Sequence, residues 1–216
     1  IRPLSVLVLN LMPTKIVTET QLLRKLSNTP LQVEVEFLQT ASYQPKHVAA
    51  NHLDTFYTVF DEIKDRKFDG MIITGAPLDY TAFEDVSYWD EICKIMEWSK
   101  THVHCTLHMC WGVYAGLHYH YGINKIDLPE KLSGIYKHYV LKKNSPLFRG
   151  FDDVFMAPQS RAMTVAREDI EKIPELELLA YSDEAGVTML KTRDSRQFFM
   201  TCHPEYDSDT LAKEYY

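Results

Sequence analysis

Val103-His104-Cys105-Thr106-Leu107-His108-Met109-Cys110-Trp111-Gly112-Val113-Tyr114-Ala115-Gly116 is the stretch whose reading decides the fold. Val103–Met109 has the length and apolar weight of a buried strand. Gly112, Ala115 and Gly116 punctuate an apolar helix that follows directly. Cys110 therefore stands at a strand-to-helix junction, where unpaired backbone N–H groups and the helix dipole favour a thiolate. About ninety residues later comes His203-Pro204-Glu205. A cysteine at such a junction, a histidine to act as its base and a glutamate to orient that histidine make the layout of a covalent catalyst.

Working outward, Leu4–Leu9 is a continuous apolar run, Val33–Leu38 alternates, and Met71-Ile72-Ile73 is a third strand ended by Gly75-Ala76-Pro77. Helical spacing appears over Glu19–Leu26, Phe56–Asp65 and Tyr88–Lys100. Strands alternating with helices at this spacing indicate βαβ units and a mostly parallel sheet. After Gly122 the rhythm changes. Leu132–Leu141, Val154–Met156, Leu176–Tyr181, Val187–Leu190 and Phe198–Thr201 read as strands separated by turns, an antiparallel extension. The expectation is an α/β protein: a mostly parallel sheet flanked by helices, with added antiparallel strands in the C-terminal half, in a single domain over residues 1–216.

The 216 residues, 45% hydrophobic, suffice for a full core. A net charge of −7 argues against nucleic acid, whose phosphates require a basic patch. No apolar run reaches the roughly 18 residues of a membrane span and no signal peptide opens the chain, which points to a cytoplasmic protein. Cys93, Cys105, Cys110 and Cys202 are too sparse for a disulfide framework and suit reduced thiols. The chain opens at Ile1 and stops at Tyr216 within a helical pattern, so it reads as lacking both native termini.

Ligands of open α/β sheets bind outside the carboxyl ends of the strands. Gly75–Leu78, Cys110-Trp111 and His203–Glu205 are all expected at that rim. Cys110 attacks a carbonyl carbon there, the N–H groups of Trp111 and Leu78 hold the oxyanion, and His203 moves protons. Taken singly, a cysteine after a strand is ordinarily a small core hydrophobe, His-Pro-Glu is loop punctuation and Gly-Ala-Pro is a turn. Their joint occurrence at strand ends carries the catalytic reading. No metal is expected: His104 and His108 lie about 13 Å apart along a strand, too far to share one ion with Cys110.

At this point the chain resembles a known family. Asn10-Leu11-Met12-Pro13, Phe68-Asp69-Gly70, Thr74-Gly75-Ala76-Pro77, Phe83-Glu84-Asp85-Val86, Glu97-Trp98-Ser99, Cys110-Trp111-Gly112, Glu130-Lys131-Leu132-Ser133-Gly134, Arg149-Gly150-Phe151-Asp152-Asp153 and His203-Pro204-Glu205-Tyr206-Asp207 are similar to the homoserine O-acyltransferases of the trans-succinylase type. The resemblance implies a fold like the class I glutamine amidotransferase domain (flavodoxin-like) and a cytoplasmic homodimer. It also implies an acyl group carried from coenzyme A to an amino-acid hydroxyl, with no permanently bound cofactor. By it, Cys110 is the acyl-thioester nucleophile, His203 the proton acceptor, Glu205 their catalytic partner, and Lys131 and Ser160 bind substrate. Asp79 occupies the acyl-selecting position. A carboxylate there repels a succinyl group, which predicts acetyl-CoA as co-substrate.

Two departures bear on the acceptor. The family has histidine where Gln159 precedes Ser160-Arg161, and glutamine where Tyr114 stands. Arg161 is the nearest candidate for the acceptor carboxylate. A bulkier Tyr114 would shorten the pocket, and one methylene is worth only about 1–3 kcal/mol, so serine stands beside homoserine as acceptor. A glutaminase and a non-catalytic binding domain are the rival classes. The first lacks its usual glycine at position 108, and the second would form no acyl-enzyme.

Overall fold

The computed structural model describes residues 2–42 and 50–215. The chain divides into two compact units, Ile1–Leu107 and His108–Tyr216.

In the first unit the order is β1 (Leu4–Leu9), α1 (Lys15–Leu26), β2 (Val33–Leu38), α2 (Ala50–Phe56), β3 (Tyr57–Thr58), α3 (Phe60–Ile63), β4 (Phe68–Ile73), α4 (Trp89–His102) and β5 (Val103–Met109). Strand order is β3-β2-β1-β4-β5. β1 pairs in parallel with β2 on one side and β4 on the other. The strand order thus switches sides at β1, and open α/β sheets bind ligands outside the carboxyl ends of the strands at such a switch point. Leu7, Val8, Leu9, Met71 and Ile73 are at most 1% exposed, each worth about 1.5–3 kcal/mol in buried apolar surface. α4 buries Ile92, Ile95, Met96 and Trp98. The Trp98 indole N–H donates to Lys64 O at 2.7 Å, and its ring meets Phe60 and Phe68 edge-on.

The helix expected over Phe56–Asp65 is broken in two. Tyr57 and Thr58 leave it to pair in parallel with Phe37 and Leu38 at the sheet edge. An aromatic followed by β-branched Thr58 and Val59 favours extended backbone. Asn10 Nδ2 donates to the Tyr57 hydroxyl at 2.8 Å, and that hydroxyl donates to Glu19 at 2.6 Å.

The second unit holds α5 (Trp111–Tyr121), β6 (Ile126–Val140), β7 (Val154–Thr164), α6 (Arg167–Glu171), β8 (Leu176–Ser182), β9 (Gly186–Thr192), β10 (Gln197–Met200) and α7 (Thr210–Tyr215). Its strands run antiparallel in the order β10-β9-β8-β6-β7. β7 extends well beyond the Val154–Met156 read from sequence, so Gln159-Ser160-Arg161 lies on a strand. A shift in register between Asp127 and Leu132 leaves a bulge in β6.

Every residue of α5 from Trp111 to Leu117 is buried, which marks a helix inside its unit rather than on a surface. Gly122 ends it at φ 67°, a left-handed turn that glycine takes without cost, its N–H returning to His118 O at 2.9 Å. At Gly116 a Cβ would stand 2.6 Å from His108 Nδ1 and 3.0 Å from Phe199. The His108 ring cannot yield easily: it stacks on Phe199 at 4.7 Å and its Nε2 bonds Gln197 at 2.7 Å. Gly116→Ala is therefore expected to lower stability by about 1–3 kcal/mol, read from the midpoint of chemical denaturation. A midpoint equal to the wild type would show that the ring moves freely.

Candidate active site

Cys110 is the cap residue of α5 and adopts φ 47°, ψ −116°. A non-glycine residue held there carries strain of about 1–3 kcal/mol, kept in place by its surroundings. Those surroundings are specific: the Cys110 N–H donates to Met200 O at 3.0 Å, and Cys110 O accepts from Val113 N at 3.0 Å. The outcome is a sharp elbow that puts the side chain at the helix N-terminus with 9% of the residue exposed. Trp111 supplies the first N–H of the helix and is itself fully buried.

His203 is carried past β10, its N–H donating to Pro158 O at 3.0 Å. Its Nδ1 bonds Glu205 Oε1 at 2.7 Å, and both residues are under 9% exposed. The pairing makes Nδ1 the protonated nitrogen and leaves Nε2 as the acid–base atom. Nε2 is buried without a hydrogen bond among the described residues, while Cys110 Sγ lies 3.9 Å from Ser160 O. Burial opposes a charge on His203, but Cys110 and Glu205 outweigh it and hold its pKa well above the usual histidine value.

Two residues given no role in the sequence reading adjoin this centre. The Tyr206 ring stacks on His203 at 4.3 Å and 21°. Glu214 of α7 accepts from the Tyr206 hydroxyl at 2.6 Å and from the Ser160 hydroxyl at 2.5 Å. Tyr206 follows the His-Pro-Glu motif directly and was legible as part of it. Glu214 carried no signal, because only folding brings α7 back onto β7.

The other expected residues separate. Tyr114 is buried, its hydroxyl donating to Met163 O at 3.1 Å. Arg161 Nε donates to Gln159 Oε1 at 3.0 Å, while its Nη groups donate to Met163 O and Ala185 O. Gln159 Nε2 in turn donates to Thr201 at 3.3 Å. Tyr114, Gln159 and Arg161 thus form one buried network. Successive side chains of a strand face opposite ways, so Arg161 turns away from the face on which Ser160 meets Glu214. Arg161, read from the sequence as the nearest candidate for an acceptor carboxylate, is thus placed on the opposite strand face from Ser160. Lys131 is exposed at the β6 bulge.

Leu78 and Asp79 belong to the first unit and are half-buried. The Leu78 N–H, expected to hold an oxyanion, donates to Ala76 O at 2.9 Å in a tight turn. It must release that carbonyl before it can serve as an oxyanion donor. Also unforeseen is a buried polar group at the end of β1, where Lys15 Nζ donates to Asn10 O at 2.6 Å. Burial pulls the Lys15 pKa down to about 8 despite nearby Glu19. Among the described residues, no group of three or more His, Cys, Asp or Glu is placed to hold a metal ion, and no helix is long and apolar enough to cross a membrane.

Solved structures similar to this chain share its fold. A glutamine amidotransferase from Thermotoga maritima superposes with a TM-score of 0.66 at 12% identity, over 100% of this chain and 81% of that one. The glutaminase domain of a CTPS from Trypanosoma brucei gives 0.63 at 13% identity, over 98% and 89%. At such identities the likeness establishes a class I glutamine amidotransferase-like α/β fold. Sequence relatives are much nearer. Homoserine O-acetyltransferases from Geobacillus kaustophilus and Thermotoga neapolitana are 58% and 59% identical over 100% of this chain and 71% of their own lengths. The homoserine O-succinyltransferase family model matches residues 1–216. With a strained cysteine elbow and a buried His203–Glu205 pair at the positions that the sequence motifs single out, the chain belongs to this family of homoserine O-acyltransferases.

Proposed function

We propose that this chain transfers an acetyl group from acetyl-CoA to the side-chain hydroxyl of homoserine, through a thioester on Cys110. The observation that carries the reading is the Cys110 elbow combined with the buried His203–Glu205 pair. In the first half-reaction the Cys110 sulfur attacks the thioester carbonyl of acetyl-CoA. The C–S bond to coenzyme A breaks, and the His203 imidazolium protonates the departing thiolate. Thioester exchange leaves the energy nearly level. In the second half-reaction neutral His203 takes the proton of the homoserine hydroxyl, whose oxygen attacks the acetyl-Cys110 carbonyl. The C–S bond to Cys110 breaks and His203 returns the proton to sulfur. Backbone N–H groups, that of Trp111 first, stabilise the oxyanion in both steps.

The donor assignment draws on two supports. The relatives that share over half of this sequence are named homoserine O-acetyltransferases. Asp79 stands where, by the family resemblance, a carboxylate excludes succinyl. For the acceptor, Lys131 and Ser160 match the family's substrate-binding residues, and the Glu214 carboxylate on Ser160 suits an acceptor's ammonium group. Homoserine is preferred to serine, since the relatives compared carry homoserine in their names.

A kinetic matrix tests the reading: acetyl-CoA and succinyl-CoA against homoserine, serine and 4-hydroxybutyrate, which lacks the ammonium group. Acetyl-CoA with homoserine is expected to give the highest kcat/KM. Asp79→Gly is expected to raise the succinyl-to-acetyl ratio about tenfold or more, a shift of about 1.4 kcal/mol in discrimination. Faster turnover of succinyl-CoA by the wild type would overturn the donor, and faster turnover of serine would overturn the acceptor.

A further inference from the structure

The second unit holds a cavity of about 320 Å³ that none of Cys110, His203 or Glu205 lines. Such a volume falls at the small end of ligand sites, about 300–1,000 Å³. Leu128 and Leu132 at the β6 bulge and Val187 of β9 give it an apolar wall. Glu168, Asp183 and Glu184, all exposed, line it as well. Arg161 and Ala185 line its inner side.

Arg161 is the unusual member. It is 1% exposed, yet every acceptor it reaches is neutral: the Gln159 side-chain oxygen and the carbonyls of Met163 and Ala185. A guanidinium carries five N–H donors, so two stay unmatched, and no carboxylate pairs with it among the described residues. Buried charges are ordinarily neutralised by a partner. The Nη2 group bonds Ala185 O, and Ala185 lines the cavity, which brings the cationic tip to the cavity wall. The lining of this one cavity therefore combines a buried cation without a carboxylate partner, exposed carboxylates and two leucines.

We propose that this cavity binds a small α-amino acid with an apolar side chain, at a site separate from the Cys110 centre. The ligand carboxylate takes the free N–H groups of Arg161. Its ammonium group faces Glu168, Asp183 and Glu184, and its side chain lies against Leu128, Leu132 and Val187.

Isothermal titration and thermal melting of the full chain with L-leucine as the probe test this assignment. L-Leucine is expected to bind and to raise Tm by mass action. L-Leucinamide, which lacks the carboxylate, and 4-methylpentanoate, which lacks the ammonium group, are expected to bind at least about tenfold more weakly. The double variant Asp183→Lys, Glu184→Lys changes exposed turn residues and is expected to lose the same factor while still forming acetyl-Cys110. Leu132→Trp, which fills the cavity, is expected to abolish binding. Equal binding of leucinamide would overturn the Arg161 contact. Undiminished binding by both variants would place leucine elsewhere, and no binding by the wild type would remove the site.

Discussion

Brief exposure of the protein to acetyl-CoA without acceptor is expected to add a single acetyl group, located by peptide mass analysis on Cys110. Cys110→Ala is expected to show no adduct and to lose about four orders of magnitude or more in turnover. Exclusivity follows from the surroundings of the other thiols. Burial, followed by the nearby Glu205 charge, pushes the Cys202 thiol up to about 12. Burial and then Asp90 push Cys93 up to about 11. Neither supplies useful thiolate near neutral pH. Cys105 is a half-buried thiol directed at Asp69 O, 3.9 Å away. Only Cys110 combines a helix N-terminus, a strained elbow and an adjacent imidazole. An adduct persisting in Cys110→Ala, or none on folded wild-type protein, would end the covalent mechanism. The second result would favour a binding domain that kept the fold.

Glu205→Gln is expected to slow acetyl transfer by about a hundredfold or more and to move its acid limb to lower pH. The sign follows from the two charges that hold the His203 pKa up, Cys110 and Glu205. Once Cys110 is acetylated its charge is gone, and Glu205 is the remaining charge that supports the imidazolium against burial. Transfer to a hydroxyl requires neutral His203 as base, so its rate falls as pH drops through the His203 pKa of the acyl-enzyme. Replacing the carboxylate by an amide removes that support, so His203 stays neutral to lower pH. The rate falls nonetheless, because the imidazolium formed in the transition state loses its counter-charge and the ring loses a 2.7 Å bond that sets its tautomer. Single-turnover decay of isolated acetyl-enzyme with homoserine, measured across pH, reads this directly. An acid limb that stays in place or moves upward in Glu205→Gln would show that the pair does not act in this way.

Much of the framework was legible because it rests on local pattern. The apolar runs at Leu4–Leu9, Met71–Ile73 and Val103–Met109 each became a strand, since such runs gain most when buried. The switch after Gly122 to short alternating segments appeared as an antiparallel sheet. Tyr57 and Thr58 went wrong for the opposite reason: the helical pattern around them was weaker than the edge of β2 together with the Asn10 and Glu19 side chains. In the candidate site, Cys110, His203 and Glu205 were legible as candidates because each follows directly from a strand or motif. The contacts of Glu214 and the buried partners of Arg161 were not legible. Their partners lie far away in sequence, and strand parity decides which way each faces.

Sequence alone determined the family and the fold class, and it singled out Cys110, His203 and Glu205 as the candidate centre. Cys110 is placed by the strand before it and the helix after it, and Glu205 lies two residues from His203. Tertiary structure alone decided how the elbow is held, with β10 supplying Met200 O to the Cys110 N–H. It also decided that Leu78 spends its N–H on Ala76, that Glu214 reaches Ser160, and that Arg161 faces a separate cavity. The physical reason is range. Propensity and hydrophobic period act over a few residues, whereas a buried donor or charge takes whichever partner the packed chain brings within about 3 Å.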